Sequence, residues 1–258
     1  MKIELFLSTP IEKLVESIPF LADNDLHPEV RMAKVDYIMN LDMDEAKRIG
    51  DELSKRGLRV FTHGPFFGLD IASMDRHISE YTAESLIRGI ETTAALGAEV
   101  MVMHSGFIPF FSRGGRRHWL RNWSERMLPV LDRARESGVT VALENTWEER
   151  PELFAFLVEQ LPEGSIAVCI DTGHLNVFSH ISVWKWWQAV GDRVVAMHLH
   201  DNDGTSDDHL APGRGTFDFA ALGEILSKRD TLPLLDLEID REQALRGKDY
   251  LEALWGGL

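Results

Sequence analysis

The chain has 258 residues, 44% of them hydrophobic and 27% charged, and its 27 Lys and Arg stand against 42 Asp and Glu for a net charge of −15. This is the composition of a globular protein with a sizeable core, and the acidic balance argues against a duplex nucleic-acid binder, which needs a basic face for phosphates. No run approaches the roughly 18 apolar residues of a membrane span, the N-terminal run lacks a signal-peptide pattern, and one cysteine, Cys169, allows no intramolecular disulfide and fits a reducing, cytoplasmic setting.

Taken in order, the chain alternates strand-like and helix-like segments. Strands are predicted at 3–8, 35–41, 59–63, 99–104, 140–145, 166–171, 194–200 and 232–238. Helices are predicted at 10–23, 43–56, 79–96, 117–137, 151–161, 183–190, 217–228 and 249–254. Gly57, Gly97, Gly138 and Gly164 mark returns from helix to strand, as helix stops do. Eight such units in a chain of this length predict an α/β protein, a single-domain (β/α)8 TIM barrel over residues 1–258. An open doubly wound sheet would ordinarily carry a Gly-rich turn after its first strand, and here that turn reads Ser8-Thr9-Pro10.

The strand ends carry the chemistry. They read Thr62-His63, Met103-His104, Leu143-Glu144-Asn145, Ile170-Asp171-Thr172-Gly173-His174, Met197-His198-Leu199-His200-Asp201 and Leu237-Glu238. Active sites of the barrel fold lie at these C-terminal ends. Histidines and carboxylates are costly at the end of a buried strand unless something pairs with them. A period of two points His198 and His200 to the same face. The loop after the seventh strand adds Asp207 and His209. Together these residues suit a divalent cation, and the abundance of carboxylates points to Mn, Mg, Co or Zn; with no cysteine among them, a structural thiolate zinc site is excluded.

In order and spacing, His63-Gly64-Pro65-Phe66, His104-Ser105-Gly106, Leu143-Glu144-Asn145, Asp171-Thr172-Gly173-His174, His198-Leu199-His200-Asp201-Asn202 and Asp207-Asp208-His209-Leu210-Ala211-Pro212-Gly213 resemble the xylose isomerase-like TIM-barrel superfamily. That group holds sugar isomerases and epimerases of the tagatose 3-epimerase type and endonuclease IV-type AP endonucleases. The epimerase-like pattern implies one metal held by Glu144, Asp171, a seventh-strand histidine and Glu238, with Glu144 and Glu238 doubling as acid and base. The endonuclease-like pattern implies three zinc ions held by His63, His104, Glu144, Asp171, His174, His198, Asp207, His209 and Glu238. His198 aligns with the second pattern and His200 with the first. Arg214 departs from the acidic residue that many relatives carry in the Pro-Gly-x-Gly turn.

Two activities follow as expectations. The first is isomerisation or epimerisation of a sugar, sugar phosphate or related polyol ketone, with one to three divalent ions as cofactor. The alternative is zinc-dependent hydrolysis of abasic DNA, opposed by the charge of −15. His174, Trp147, Phe66 and Arg214 are candidate substrate contacts, Trp147 and Phe66 as aromatic faces at the rim. The basic run Arg113-Gly114-Gly115-Arg116-Arg117-His118 suits a phosphate or a solvated helix start equally. Trp119, Trp123, Trp184, Trp186 and Trp187 have the spacing of helix–barrel packing. The expected partner is a small carbohydrate rather than a membrane or nucleic acid, with a homo-oligomer left open.

Overall fold

Alternating side chains sort the strands into two environments. In the computed structural model, which describes residues 3–109, 113–159, 161–162, 164–179 and 181–256, Phe6, Phe61, Val102, Ala142, Ala167, Cys169 and Ala196 form one buried cluster inside a cylinder of strands. The larger cluster, which includes Leu5, Leu7, Met101, Met103, Val141, Leu143, Val168 and Ile170, packs the outer faces of the strands against the helices. Met1 and Lys2 of the N-terminal run and Gln160 of the helix predicted at 151–161 lie outside the described residues.

The strands are β1 (Leu5–Pro10), β2 (His27–Arg31), β3 (Phe61–His63), β4 (Val100–His104), β5 (Thr140–Glu144), β6 (Ile166–Asp171), β7 (Val194–His198) and β8 (Leu234–Leu237). All pair in parallel with their sequence neighbours, and β8 closes on β1, so the sheet is a closed eight-stranded barrel. The helices are α1 (Leu14–Asp23), α2 (Val35–Asn40), α3 (Met43–Lys55), α4 (Arg76–Ala95), α5 (Arg113–Glu136), α6 (Pro151–Glu159), α7 (Thr172–Phe178), α8 (Val183–Val190), α9 (Phe219–Leu226) and α10 (Arg241–Trp255). Aspartates start several of them: Asp42, Asp75 and Asp218 accept from the backbone N–H of Asp44, His77 and Ala221 at 3.0, 2.9 and 2.9 Å. After α4 the chain turns back through Gly97 at φ +77°, a left-handed conformation that disfavours any side chain. None of the described helices is long and apolar enough to cross a membrane.

One predicted strand is overturned. Residues 35–40 of that stretch form the short helix α2, and β2 lies earlier, at His27–Arg31. The segment Val35-Asp36-Tyr37-Ile38 mixes β-branched, aromatic and polar residues in a way that six residues cannot assign to one period. The true strand reads His27-Pro28-Glu29-Val30-Arg31, which has the look of a loop. Pro28 is tolerated because pairing with β3 begins only at Glu29, opposite Phe61. Two smaller differences matter for the site. Helix α7 begins immediately after Asp171, so His174 sits on a helical turn rather than a free loop. Strand β7 ends at His198, which leaves His200 beyond the regular alternation.

The predicted packing role of the tryptophans holds for most of them. Trp119, Trp123 and Trp186 are buried in the outer layer, and Trp184 and Trp187 are half-buried against it. The basic run after β4 forms the start of α5, where the Arg116 guanidinium lies 5.4 Å from the Phe107 ring centroid.

Candidate active site

The period of two that places Val102, Ala142, Cys169 and Ala196 inside the barrel places the residues two positions further on inside as well. Those are His104, Glu144, Asp171 and His198, one layer nearer the mouth. His63 follows Phe61 in the same way, and Glu238 follows Asp236 at the end of β8. The sequence alternation therefore converts directly into a ring of imidazoles and carboxylates at the C-terminal end of the barrel.

Glu144 is the hub. Its Oε2 lies 3.1 Å from His63 Nε2, 3.4 Å from His104 Nε2 and 3.4 Å from His198 Nδ1, and its Oε1 lies 3.0 Å from His174 Nδ1. Asp171 Oδ2 lies 3.0 Å from His200 Nε2 and 3.7 Å from His198 Nδ1, while its Oδ1 accepts the His174 backbone N–H at 2.6 Å and so caps α7. Glu238 Oε2 lies 3.1 Å from His198 Nδ1. Further out, Asp207 Oδ2 is 3.4 Å from His174 Nε2 and 3.2 Å from His209 Nε2.

His63 and His209 commit Nδ1 to a backbone carbonyl and present Nε2 to a carboxylate, while His174 Nδ1 lies between the Asn145 carbonyl and Glu144 and its Nε2 faces Asp207. His63 Nδ1 donates to the Gly64 carbonyl at 2.8 Å, His174 Nδ1 to the Asn145 carbonyl at 2.9 Å, and His209 Nδ1 to the Glu238 carbonyl at 2.7 Å. Such partners fix the tautomer and leave the inward nitrogen for a proton or a cation. Asn145 adds a brace: its Oδ1 accepts the Asp171 N–H at 2.8 Å and its Nδ2 donates to the Asp171 carbonyl at 3.2 Å. Asp201 shapes the loop that carries Asp207 and His209 by accepting the N–H groups of Gly213, Gly215 and Phe217 at 3.0, 2.8 and 3.0 Å. In that loop His209 adopts φ +47°, an uncommon conformation for a residue with a side chain, which the surrounding contacts hold.

These ligand atoms fall into overlapping sets. The ligand atoms of Glu144, Asp171, His198 and Glu238 lie within 4.8 Å of one another, as do those of His63, His104 and Glu144. The residues fit a cation by a further test. Buried polar atoms are ordinarily hydrogen-bonded, yet His198 Nδ1 and Glu238 Oε2, though 3.1 Å apart, are not aligned as a hydrogen bond, and both are buried without a hydrogen-bond partner among the described residues.

Electrostatics match this arrangement. Burial disfavours the charged carboxylate of Glu144, but His104 and His198 outweigh it and hold the carboxyl well below its usual range. Asp171 is likewise held low against its own burial by His174 and His200. Burial opposes the charged form of His174, yet Asp171, Asp207 and Glu144 raise its pKa well above the ordinary imidazole value. For His209 burial again works against the charge, and Asp207 and Glu238 bring the pKa up to about 9.

This sets a sign. In the metal-free protein the His209 pairing contributes fully below the ordinary imidazole value of 6.5 and is lost as pH rises through about 9. A cation bound here must displace imidazole protons, so uptake should release protons and tighten steadily between about pH 6 and 9. Zinc calorimetry in two buffers of different ionisation enthalpy checks this; an affinity flat across that range would contradict histidine ligation.

The structure also separates residues that the sequence grouped. His198 and His200 do not share one environment: His198 joins Glu144 and Glu238, while His200 sits against Asp171 and stacks flat on His209 with ring centroids 3.9 Å apart. Phe66 lies 4.9 Å from the His63 ring and 4.8 Å from the His104 ring, forming a wall of the site. Trp147 is half-exposed at the rim, 4.5 Å from the Phe178 ring. Arg214 is exposed, and its side chain joins none of the cluster's ion pairs or hydrogen bonds among the described residues.

Two buried residues near the site went unrecognised in the sequence. Glu29, in the misassigned β2, places Oε1 2.8 Å from His198 Nε2. Asp236, two residues before Glu238 and hence on the same inward face, lies with Glu29 and His198 in one compact group. Burial first, and then the neighbouring Glu29, push its carboxyl well above the usual range. The period-two rule applied backwards from Glu238 would have found Asp236. Glu29 needed the correct strand.

The chain matches other proteins across this architecture. An uncharacterized protein of Methanocaldococcus jannaschii is 28% identical over 203 residues, which are 76% of this chain and 69% of that protein. A Thermus thermophilus protein, solved after soaking with zinc chloride, superposes with a TM-score of 0.83 at 27% identity, covering 98% of each chain. A D-tagatose 3-epimerase-like protein superposes with a TM-score of 0.86 at 23% identity, covering 98% of this chain and 97% of that one. The family model for the xylose isomerase-like TIM barrel matches residues 27–254, a span that contains every residue of the ring from Glu29 to Glu238, and the chain belongs to that family.

Proposed function

We propose that this protein is a divalent-metal-dependent isomerase or epimerase of a sugar, sugar phosphate or related polyol ketone. The observation that carries the reading is the compact group of Glu144, Asp171, His198 and Glu238, whose inward nitrogen and oxygen atoms are buried and face one another at the barrel mouth. The fold shared with the D-tagatose 3-epimerase-like protein supports it. A divalent cation held there would supply the positive charge that stabilises an enediolate.

The chain's own residues provide the proton transfers and the binding surface. Glu144 and Glu238 come from strands separated around the barrel and approach the centre from different sides, so one carboxylate can take the proton next to a carbonyl while the other, in its protonated form, returns one to the opposite face. His174, beside both Glu144 and Asp171, is placed to hold a substrate hydroxyl. Phe66 and the rim residue Trp147 offer apolar faces for a sugar ring.

A second reading, phosphodiester hydrolysis, is favoured by one observation. His63 and His104 on one side, and Asp207 with His209 on the other, extend the ligand set beyond what a single ion requires. The net charge of −15 weighs against a DNA substrate. Two measurements separate the readings: metal content per chain by mass spectrometry, and deuterium uptake next to the carbonyl when ketoses and their phosphates are incubated with the protein in heavy water. Exchange supports the isomerase reading. No exchange, together with cleavage of an abasic-site oligonucleotide, would replace it with the hydrolytic one.

A further inference from the structure

Glu29 has no part in the proton transfers outlined above, yet it is fully buried inside the barrel. Its Oε1 lies 2.8 Å from His198 Nε2, while the other nitrogen of the same ring, Nδ1, faces Glu238 at 3.1 Å, Glu144 at 3.4 Å and Asp171 at 3.7 Å. The ring is thus held between Glu29 and Asp236 below, of which Glu29 makes the hydrogen bond, and three carboxylates at the mouth. A neutral imidazole offers a lone pair at only one nitrogen, and the acceptor at the other decides which. His63 and His209 are held the opposite way, each donating Nδ1–H to a backbone carbonyl and facing a carboxylate with Nε2, while His174 Nδ1 lies between the Asn145 carbonyl and Glu144. His198 is the ring among these whose outward partner is a side-chain carboxylate, and that partner faces Nε2.

We propose that Glu29 is a positioning residue, which by accepting a hydrogen bond from His198 Nε2–H turns Nδ1 toward the Glu144–Asp171–Glu238 group as the ligand atom. The inference rests on the metal-centre reading. Burying Glu29 inside the barrel, opposite Phe61 and close to a second buried acid, Asp236, is unfavourable for folding alone, as expected of a group that serves the site.

The test measures zinc affinity of the full chain by chelator competition in the wild type, Glu29→Gln, Glu29→Leu, His198→Ala and the Glu29→Leu/His198→Ala double variant. Leucine should weaken zinc about 10- to 100-fold. Glutamine, whose carbonyl still accepts from Nε2–H, should restore most of that loss. In the His198→Ala background the leucine change should cost nothing further, because its effect runs through the ring. A readout without mutation comes from nitrogen-15 histidine NMR of the zinc-loaded wild type, which should show one imidazole metallated at Nδ1 and protonated at Nε2. Wild-type affinity in Glu29→Leu, full additivity in the double variant, or Nε2 ligation by every metallated ring would each overturn the inference while the metal-centre reading survives. A wild type that takes up no zinc or manganese would end both.

Discussion

Glu144→Gln is expected to lower turnover by about a thousandfold or more while the barrel stays folded. The substitution keeps the shape of the side chain and removes its charge. That charge faces four imidazoles at 3.0 to 3.4 Å, so the residue links the His63–His104 side of the mouth to the His198–His174 side. Loss of a general base alone ordinarily costs about 10²–10⁴ in rate, and a weakened cation site adds to it. The measurement is deuterium exchange into substrate together with metal content, with circular dichroism as the folding control. Exchange within tenfold of wild type would remove Glu144 from the proton-transfer pathway. The matching change at Glu238 should lose exchange on one face of the substrate, so the pair of variants reports which carboxylate serves which face.

The largest expected stability effect lies away from the site. Trp123→Ala should destabilise the protein by about 3–5 kcal/mol, the usual cost of truncating a large buried aromatic. The Trp123 side chain is fully buried in the layer between α5 and the barrel, and its Nε1–H donates to the Ser105 carbonyl at 2.9 Å. The next link matters for function: the Ser105 hydroxyl donates to Glu148 at 2.7 Å and accepts the Phe107 N–H at 3.1 Å, so the turn after β4 is tied to the loop after β5. For a domain of this size the loss corresponds to a melting temperature lowered by about 6–20 °C. Trp147→Ala, at a half-exposed rim position, should change stability by no more than about 0.5 kcal/mol. Thermal melts of the two variants make the comparison. Near-equal melting temperatures would mean that α5 repacks around the cavity.

The site was legible where chemistry and periodicity coincide. His63, His104, Glu144, Asp171 and His198 end strands whose preceding alternate residues are apolar, and that pattern alone sends them inward at the mouth. Asp207 and His209 were found by composition, but their approach to His174 depends on the loop braced by Asp201. Glu29 was missed because its strand contains proline, histidine, glutamate and arginine, and is a strand only through pairing with Leu7, Ser8 and Thr9 on one side and Phe61 on the other. Local propensity carries no information about such neighbours. The α2 segment failed in the mirror sense, since its apolar residues suit either period.

By itself, the amino-acid order determined the repeating βα unit, the barrel that eight such units build, and the ring of strand-end imidazoles and carboxylates, because all three follow from periods of two and 3.6 residues acting over short stretches. Only the tertiary structure decided that His198 rather than His200 joins Glu144, Asp171 and Glu238, that His200 instead stacks on His209, and that Glu29 and Asp236 lie beneath them. The reason is one of distance along the chain. Residue 29 meets residue 198 only after the barrel has closed, and which nitrogen faces which carboxylate is set by that closure and by the loops above it.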